Sequence, residues 1–323
     1  MKSAILRYLK KRPAWVSGEE ICQVFNLSRT AVWKHINALR RDGYTIEARP
    51  RKGYRLVSPP DLLLPEEITE GLHTRIIGYP YLYYPVLDST NNQAKQLAQD
   101  GAGEGTVVLA EEQTGGRGRM GRRWHSPRGG LWFSIILRPP FEPARAAGAT
   151  FVAAVACVKA IRSYMDVGVG IKWPNDLVYR GRKMGGILTE LSAEMDRINF
   201  LVVGIGLNIN NSTDILPPGL RANVITLRQI AGREVSRKEI LQAVLQEFEE
   251  WYLRWCREGL GPVLETWKFY NTCIGSEIYV KGPGGEWHGR ALDVDEEGAL
   301  LLQTGSGEVK RILSGDVALV GKE

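Results

Sequence analysis

A break at Ser58, Pro59 and Pro60 divides this chain into a short first part and a long second part. Adjacent prolines fix their own φ angles and disfavour helix at the preceding residue, so regular structure is interrupted here. The chain has 323 residues, too many for one ordinary hydrophobic core. We therefore predict three domains, with bounds at residues 1–60, 66–270 and 273–321.

Charge is distributed unevenly across this break. Residues 1–57 contain thirteen Lys or Arg residues and four Asp or Glu residues, a balance of +9 in a chain whose net charge is +6. The rest of the chain therefore carries a net charge of −3. A basic domain of this kind is typical of a protein that meets a polyanion such as DNA through one domain only.

The first part carries the pattern of a helix-turn-helix. Ser17 begins a capping box, Asn26 starts a tight turn, and Ser28 can cap the helix that reads DNA bases. Two strands, 44–49 and 53–57, then enclose a basic tip, as in a winged helix. The alternative is a three-helix scaffold with a solvated basic face. The residues expected to contact DNA are Ser28, Arg29, Thr30, Trp33, Lys34, Arg51 and Lys52.

The second part mixes helix and strand patterns with no repeat at a fixed period, which predicts an α/β or α+β fold. Predicted strands of the central part are 105–110, 131–137, 167–172, 176–179, 186–191 and 200–209. Predicted helices are Thr90–Gln99, Glu142–Met165 and Ser236–Glu258. After Gly275, glycine-rich turns separate short strands, which predicts a small closed barrel. These strands are 277–281, 287–294, 299–303 and 309–313.

The stretch GGRGRMGRRW, residues 115–124, is the most unusual motif. It formally contains the Gly-x-Gly-x-x-Gly of dinucleotide-binding proteins, but the helix that this fingerprint requires does not follow. The chain also lacks the P-loop pattern. What remains is a flexible basic loop between two strands, in which glycines permit close backbone approach and arginines bind phosphate or carboxylate. We predict that it closes as a lid over a small reactive phosphate ester.

Three further segments complete a predicted adenylating site. Asp88-Ser-Thr-Asn91 opens a predicted helix and directs polar groups to its N-terminus. Lys172-Trp-Pro-Asn-Asp176 places a lysine, an amide and a carboxylate around one turn, where Asp176 can hold Mg²⁺ beside phosphates. Lys183 precedes a glycine-rich strand. A helix cap or a solvated turn would explain each segment alone, but together they supply the charges that adenylation of a carboxylate requires.

Other classes of function find no support in the sequence. The four cysteines are far apart and the four histidines lie in unrelated contexts, so we expect no zinc site, disulfide framework or nucleophile–histidine pair. The most apolar run, 149–161, is too short to span a membrane and is typical of a buried helix. The N-terminus lacks the pattern of a secretory signal. We predict a cytoplasmic protein with no membrane partner.

The motifs at 116–124 and 172–177 resemble the signature pair of the biotin protein ligases, and Asp88–Asn91 and Arg182–Lys183 fit the same family. The resemblance covers the whole chain. The N-terminal domain makes it similar to the bifunctional type, in which biotin ligase and biotin operon repressor share one polypeptide. The implied α+β fold has an N-terminal winged helix-turn-helix, a central mixed sheet like that of class II synthetases and a C-terminal SH3-like small β-barrel.

The resemblance also implies the roles of individual residues. Biotin is expected to contact Ser89, Thr90, Asn91, Gln113, Arg117, Gly118, Arg119 and Lys183. ATP is expected to contact Arg119, Arg122, Trp124, Lys172, Asn175, Asp176 and Asn208. The expected catalytic residues are Arg119, Lys183 and Asp176, with Asp176 as the Mg²⁺ ligand. One departure is Met120, where some relatives have a polar residue, and it bears only on the charge of the loop.

The reaction implied by the family has two steps. The biotin carboxylate attacks the α-phosphate of ATP in the presence of Mg²⁺, and biotinyl-5′-AMP stays under the loop until a lysine of a biotin carboxyl carrier domain takes the biotin. The family also implies repression of biotin synthesis genes through operator DNA, and a homodimer promoted by biotinyl-5′-AMP. Two alternatives stay open: a ligand-sensing regulator without catalysis, and a lipoate ligase, which shares the catalytic fold.

Overall fold

The computed structural model describes residues 1–320, which form two compact units that divide after Leu62. The predicted C-terminal bound at residue 321 lies outside the described residues. Each unit has its own buried core and is described by itself below.

The first unit contains three helices followed by a two-stranded hairpin. The helices are α1 (Lys2–Lys10), α2 (Gly18–Phe25) and α3 (Arg29–Arg41), and the antiparallel strands are β1 (Thr45–Arg49) and β2 (Gly53–Ser58). Apolar residues at helical spacing turn inward from all three helices because burial removes their side chains from water. These core residues are Ile5, Leu6, Leu9, Ile21, Val32, Ile36 and Leu39.

The predicted helix starts in this unit are confirmed. Ser17 Oγ accepts a hydrogen bond from the backbone of Glu20 at 3.0 Å, and Ser28 Oγ accepts one from the backbone of Ala31 at 3.2 Å. Asn26 ends α2 in the left-handed conformation, with φ of 52°, which lets the chain turn at once into α3. The helix-turn-helix arises from these local signals.

The second unit is a mixed α and β structure. Its helices are α4 (Pro65–Ile68), α5 (Thr90–Gln99), α6 (Gly148–Tyr164), α7 (Pro218–Arg221), α8 (Leu227–Ala231), α9 (Arg237–Glu258) and α10 (Gly261–Tyr270), with short 3-10 turns at Arg119–Gly121 and Pro143–Arg145. Its strands are β3 (Tyr81–Tyr84), β4 (Val107–Ala110), β5 (Leu131–Leu137), β6 (Gly170–Lys172), β7 (Asp176–Tyr179), β8 (Arg182–Ala193), β9 (Ile198–Leu207), β10 (Glu277–Gly282), β11 (Gly285–Val294), β12 (Leu300–Thr304), β13 (Val309–Ile312) and β14 (Asp316–Leu319).

A seven-stranded sheet organises the larger part of this unit, in the order β3-β4-β5-β9-β8-β7-β6. Only the β3–β4 pair is parallel among its described strands. Helix α5 packs on one face, whereas α6 covers the other and packs in turn against α9. Because successive strand residues point to opposite faces, β9 directs Leu201 and Val203 into the α6 core and Val202 into the α5 side.

The C-terminal strands form a second, five-stranded antiparallel sheet in the order β13-β12-β11-β10-β14. Its buried side chains join the core that contains α6. Trp173 Nε1 donates a hydrogen bond to the carbonyl of Gly298 at 3.0 Å, so the turn before β12 is fastened to the segment between β6 and β7. A Cβ atom at Gly298 would lie 2.3 Å from the ring of Phe151, and only glycine permits this contact.

The apolar run at 149–161 forms most of α6, as predicted. Among the described residues, 143–164 are long and apolar enough to span a membrane, but most of this segment is buried inside the protein. The prediction of one helix over Glu142–Met165 was too long, because a 3-10 turn precedes α6. The strand predicted at 167–172 was also too long, since β6 begins at Gly170.

Candidate active site

A cavity of about 300 Å³ opens on the α5 face of the seven-stranded sheet. Its floor is formed by β8 and β9, and one wall is the segment 111–130 between β4 and β5, which we call the arginine loop. Lys172 does not line this cavity. The residues that the sequence assigned to biotin or ATP and that do line it are Ser89, Thr90, Asn91, Gln113, Arg117, Gly118, Arg119, Arg122, Trp124, Asn175, Asp176, Lys183 and Asn208.

One end of the cavity is a buried network of hydroxyl and amide groups at the N-terminus of α5. The backbone N–H of Thr90 donates to Gln113 Oε1 at 2.7 Å, and Gln113 Nε2 donates to Ser126 Oγ at 2.8 Å. Ser134 Oγ, fully buried on β5, is 2.6 Å from Asn91 Oδ1 and 2.8 Å from Thr90 Oγ1. These groups form a preorganised surface for a ligand that both donates and accepts hydrogen bonds.

Glycines on β8 and β9 make the floor of the cavity flat. A Cβ atom at Gly204 would lie 2.0 Å from Asn91 Oδ1, and one at Gly206 would lie 2.6 Å from Trp124 Nε1. Both side chains can therefore lie directly on the sheet. Trp124 Nε1 is buried and has no hydrogen-bond partner among the described residues. Leaving this donor buried and unpaired is a cost of placing the indole flat on Gly206.

Arg119 lies where the arginine loop meets the C-terminal sheet. One of its terminal nitrogens donates to Asn175 Oδ1 at 3.1 Å and to the carbonyl of Gly315 at 3.3 Å. Burial lowers the pKa of Arg119, while the charges of Asp316 and Asp176 act in the opposite direction. A guanidinium that is partly removed from water interacts more strongly with an anion than an exposed one does.

Asp176 is shared by two lysines. Its Oδ1 atom is 2.5 Å from Lys183 Nζ, and its Oδ2 atom is 3.9 Å from Lys172 Nζ. The ammonium of Lys183 also lies 5.2 Å from the centre of the Trp124 ring, within range of a cation–π interaction. Asp176 thus holds the ammonium of Lys183 at the rim of the cavity.

The side chains of the cavity could bind Mg²⁺ only together with a phosphate-bearing ligand. No group of three or more His, Cys, Asp or Glu side chains that could hold a metal ion occurs within residues 1–320. Mg²⁺ often binds through one or two carboxylates together with substrate phosphates and water. The carboxylate of Asp176 is therefore suited to a Mg²⁺ ion that enters with a nucleotide.

Several residues of the cavity were not predicted from the sequence. Leu216, Leu220 and Val224 form an apolar wall, contributed by the segment between β9 and α8. Asp316, on the C-terminal sheet, also lines the cavity and pairs with Arg122 at 2.7 Å. Apolar spacing between 216 and 224 was a usable signal for the wall. The position of Asp316 depends on contacts almost 200 residues apart, which local patterns do not report.

The residues predicted to contact DNA are all exposed on the first unit, at the start of α3 and at the tip of the hairpin. Trp33 is 57 % exposed, although large aromatic side chains are mostly buried on average. Arg29 forms an exposed ion pair with Glu19. This surface combines a flat apolar ring with cations, which suits contact with a nucleic acid.

Three family models match separate stretches of the chain. The family model described as Biotin/lipoate A/B protein ligase family matches residues 83–208, one described as HTH domain matches 2–55, and one described as Biotin protein ligase C terminal domain matches 273–320. Among solved structures, a biotin protein ligase from Aquifex aeolicus in complex with biotin and ATP is similar, with a TM-score of 0.64 and 30% identity over 74% of this chain and 97% of that chain.

Two curated relatives extend the similarity to nearly full length. The bifunctional ligase/repressor BirA of Bacillus subtilis is 42% identical over 306 residues, which cover 94% of both chains. The bifunctional ligase/repressor BirA of Escherichia coli is 32% identical over 311 residues, which cover 95% of this chain and 94% of that protein. This chain therefore belongs to the family of bifunctional biotin protein ligases and repressors.

Proposed function

We propose that this protein activates biotin with ATP and transfers it to a lysine of a biotin carboxyl carrier domain. The observation that carries the proposal is one cavity in which a buried polar network and a cationic rim are joined by a flat glycine floor. Such a cavity matches a molecule with a polar ring at one end and a carboxylate at the other. Relatives named as biotin ligases favour biotin over lipoate.

In the first step, the polar network holds the ureido ring of biotin, because its hydroxyl and amide groups offer both donors and acceptors. The carboxylate then points towards Arg119 and Lys183. A carboxylate oxygen attacks the α-phosphorus of ATP, the bond to the bridging oxygen breaks, and pyrophosphate leaves. Arg119 and Lys183 stabilise the negative charge that builds up on the α-phosphate oxygens in the transition state.

The nucleotide occupies the other half of the cavity in this proposal. Its base contacts the apolar wall of Leu216, Leu220 and Val224 and the ring of Trp124. Asp176 would hold a Mg²⁺ ion that accompanies the nucleotide, and the ion would neutralise phosphate charge there. The remaining phosphate contacts that line the cavity are Arg122, Asn175 and Asn208, while Lys172, outside the lining and 3.9 Å from Asp176, stays an ATP contact predicted from its motif.

In the second step, the neutral amine of the acceptor lysine attacks the acyl carbon of biotinyl-5′-AMP, and AMP leaves with the electrons of the broken bond. The arginine loop excludes water from this mixed anhydride until the acceptor arrives. Ser89 and Gly118, which line the cavity, complete the biotin contacts, with Gly118 acting through its backbone.

The finer architecture is part of the same proposal. The first unit acts as a winged helix over residues 1–60, and residues 66–270 act as a class II synthetase-like catalytic domain. The five-stranded sheet corresponds to an SH3-like barrel that begins near residue 273. Together they form a cytoplasmic homodimer, promoted by biotinyl-5′-AMP, that represses biotin synthesis genes at operator DNA. The exposed basic surface of the first unit supports the DNA contact.

Exchange of labelled pyrophosphate into ATP tests the enzyme. Biotin-dependent exchange in the presence of Mg²⁺ is expected, and its absence would leave only a ligand-sensing regulator. Lipoate is added as a competitor in the same assay, and preferential use of lipoate would reassign the substrate.

A gel shift with and without biotin plus ATP tests DNA binding and its dependence on the ligand.

A further inference from the structure

Glu190 lies on β8 at the end of the cavity floor and belongs to none of the sequence motifs that form the site. On β8, Gly186, Leu188 and Glu190 point to the same face of the sheet, and the first two line the cavity. The Glu190 side chain is only 20% exposed, and among the described residues it contacts Asn91 and Lys95 of α5 and Arg117 of the arginine loop. A carboxylate this far from water is retained only where partners compensate it.

One oxygen of Glu190 fixes the orientation of the Asn91 amide. Asn91 Nδ2 donates to Glu190 Oε2 at 2.8 Å and to the carbonyl of Leu188 at 3.2 Å, while Asn91 Oδ1 accepts from Ser134 Oγ at 2.6 Å. A flipped amide would place Oδ1 against the carboxylate, which repels it. Glu190 therefore keeps Asn91 Oδ1 over Gly204, where it can accept a hydrogen bond from a ligand.

The other oxygen of Glu190 reaches the arginine loop. Glu190 Oε1 is 2.9 Å from Lys95 Nζ on α5 and 3.5 Å from a terminal nitrogen of Arg117. Arg117 also donates to Asn92 Oδ1 at 3.0 Å, so it bridges the loop to the first turn of α5. Burial alone raises the pKa of Glu190, but hydrogen bonds from Lys95 and Asn91 outweigh it and lower the pKa overall. Glu190 is thus anionic at neutral pH.

We propose that Glu190 is a positioning residue that links recognition of biotin to closure of the arginine loop. Through Asn91 it presents an acceptor to the N–H groups of the ureido ring, and through Arg117 it docks the start of the loop on α5. The inference rests on the proposed function and adds a residue and a coupling to it. The two oxygens perform separable tasks, and two substitutions can therefore distinguish them.

Glu190→Ala removes both the contact that orients Asn91 and the charge that holds Arg117, whereas Glu190→Gln removes only the charge. In pyrophosphate exchange, Glu190→Ala is expected to raise the KM for biotin about tenfold or more, the effect of losing one charged hydrogen bond, with the KM for ATP unchanged. It should also release free biotinyl-5′-AMP faster. Glu190→Gln still offers an oxygen to Asn91 but no charge to Arg117. The KM of Glu190→Gln for biotin should therefore lie within about threefold of the wild-type KM, a difference of about 0.7 kcal/mol in binding free energy. Its release of biotinyl-5′-AMP should still be faster than that of the wild type.

Glu194→Ala and Glu194→Gln are the matched controls, because Glu194 follows the same strand and forms an exposed ion pair with Arg197, away from the cavity. Both should match wild type in biotin KM and release. If Glu190→Ala behaves like Glu194→Ala, or if Glu190→Gln alters KM and release together, the inference is wrong. Should Glu190→Ala fail to fold, the near-isosteric Glu190→Gln still decides between unchanged and faster release. Absence of exchange by the wild-type protein would instead refute the proposed function.

Discussion

Glu111 and Arg237 form an ion pair of 2.7 Å in which both side chains are almost completely buried. Glu111 begins the arginine loop, and its second oxygen accepts a hydrogen bond from the backbone of Leu63 at 2.9 Å. Arg237, at the start of α9, also donates to the carbonyl of Gly130, the last residue of that loop, at 3.1 Å. One guanidinium therefore fastens both ends of the loop to the core.

Arg237→Ala should destabilise the protein strongly, because it leaves the Glu111 carboxylate buried without its cation. Removal of one partner of a buried pair costs about 3–5 kcal/mol. The midpoint of urea unfolding, followed by tryptophan fluorescence, measures the change. Arg254→Ala is the control on the same helix, where Arg254 and Glu258 form an exposed pair. Exposed ion pairs contribute little to the free energy of unfolding. Equal shifts of the unfolding midpoint in the two variants would therefore show that the buried pair stabilises the protein no more than the exposed pair does.

Local signals in the sequence were sufficient for much of the fold. Helix α5 was predicted with its observed bounds, because Ser89 caps it and apolar residues recur on one face. Strand β5 was also predicted with its observed bounds, since its apolar run, interrupted only by Ser134, fits a strand that is buried on both faces. The strand β3 was missed. It is a short edge strand that is defined by its parallel pairing with β4, which local periodicity does not record.

The site was predictable only where chemistry is concentrated in short motifs. The arginine loop and the segment that contains Asp176 were recognisable because their residues are neighbours in sequence. Glu190 and Asp316 were not, since their partners lie far away along the chain and no pattern marks them. Lys172 was assigned to ATP from its motif, yet in the structure it stands behind Asp176, outside the cavity lining. Its role stays a prediction.

Arg119→Gly should let the adenylate escape. The variant loses the guanidinium group that joins the arginine loop to Asn175 and to the carbonyl of Gly315 by hydrogen bonds. Labelling of bystander lysines by released biotinyl-5′-AMP is the measurement, and a clear rise over wild type is expected. Arg128→Gly is the control, because Arg128 lies in the same loop but is exposed and pairs with Glu112. Labelling confined to the proper acceptor would mean that the loop does not retain the intermediate through Arg119.

Gly204→Ala should impair biotin binding more than folding. The added Cβ would lie 2.0 Å from Asn91 Oδ1, so the amide must leave the position in which Ser134 holds it. Loss of one such hydrogen bond corresponds to about a tenfold rise in the KM for biotin or more. Gly168→Ala is the control, since no atom of residues 1–320 lies within 4 Å of its added Cβ. The idea fails if Gly204→Ala keeps the wild-type KM for biotin in pyrophosphate exchange.

Substitutions on α3 should separate DNA binding from ligation. Trp33 is more than half exposed and Arg29 stands at the start of the helix, so neither supports the core of the first unit. Trp33→Ala or Arg29→Ala should abolish binding to a DNA fragment from upstream of biotin synthesis genes, because the N-terminal residues of such a helix contact base edges. Gel shifts with biotin and ATP present measure binding, and pyrophosphate exchange measures catalysis.

The hairpin tip should contribute differently from α3. Lys52 is exposed there, and a lysine that contacts phosphate adds affinity on all sequences through release of counterions. Lys52→Ala should therefore weaken specific and nonspecific binding alike, and lower the slope of log affinity against log salt by about one. Arg197→Ala, which removes an exposed charge from the second unit, should leave the slope unchanged. If Trp33→Ala or Lys52→Ala also removes pyrophosphate exchange, the first unit is required for catalysis and the two activities are not separable.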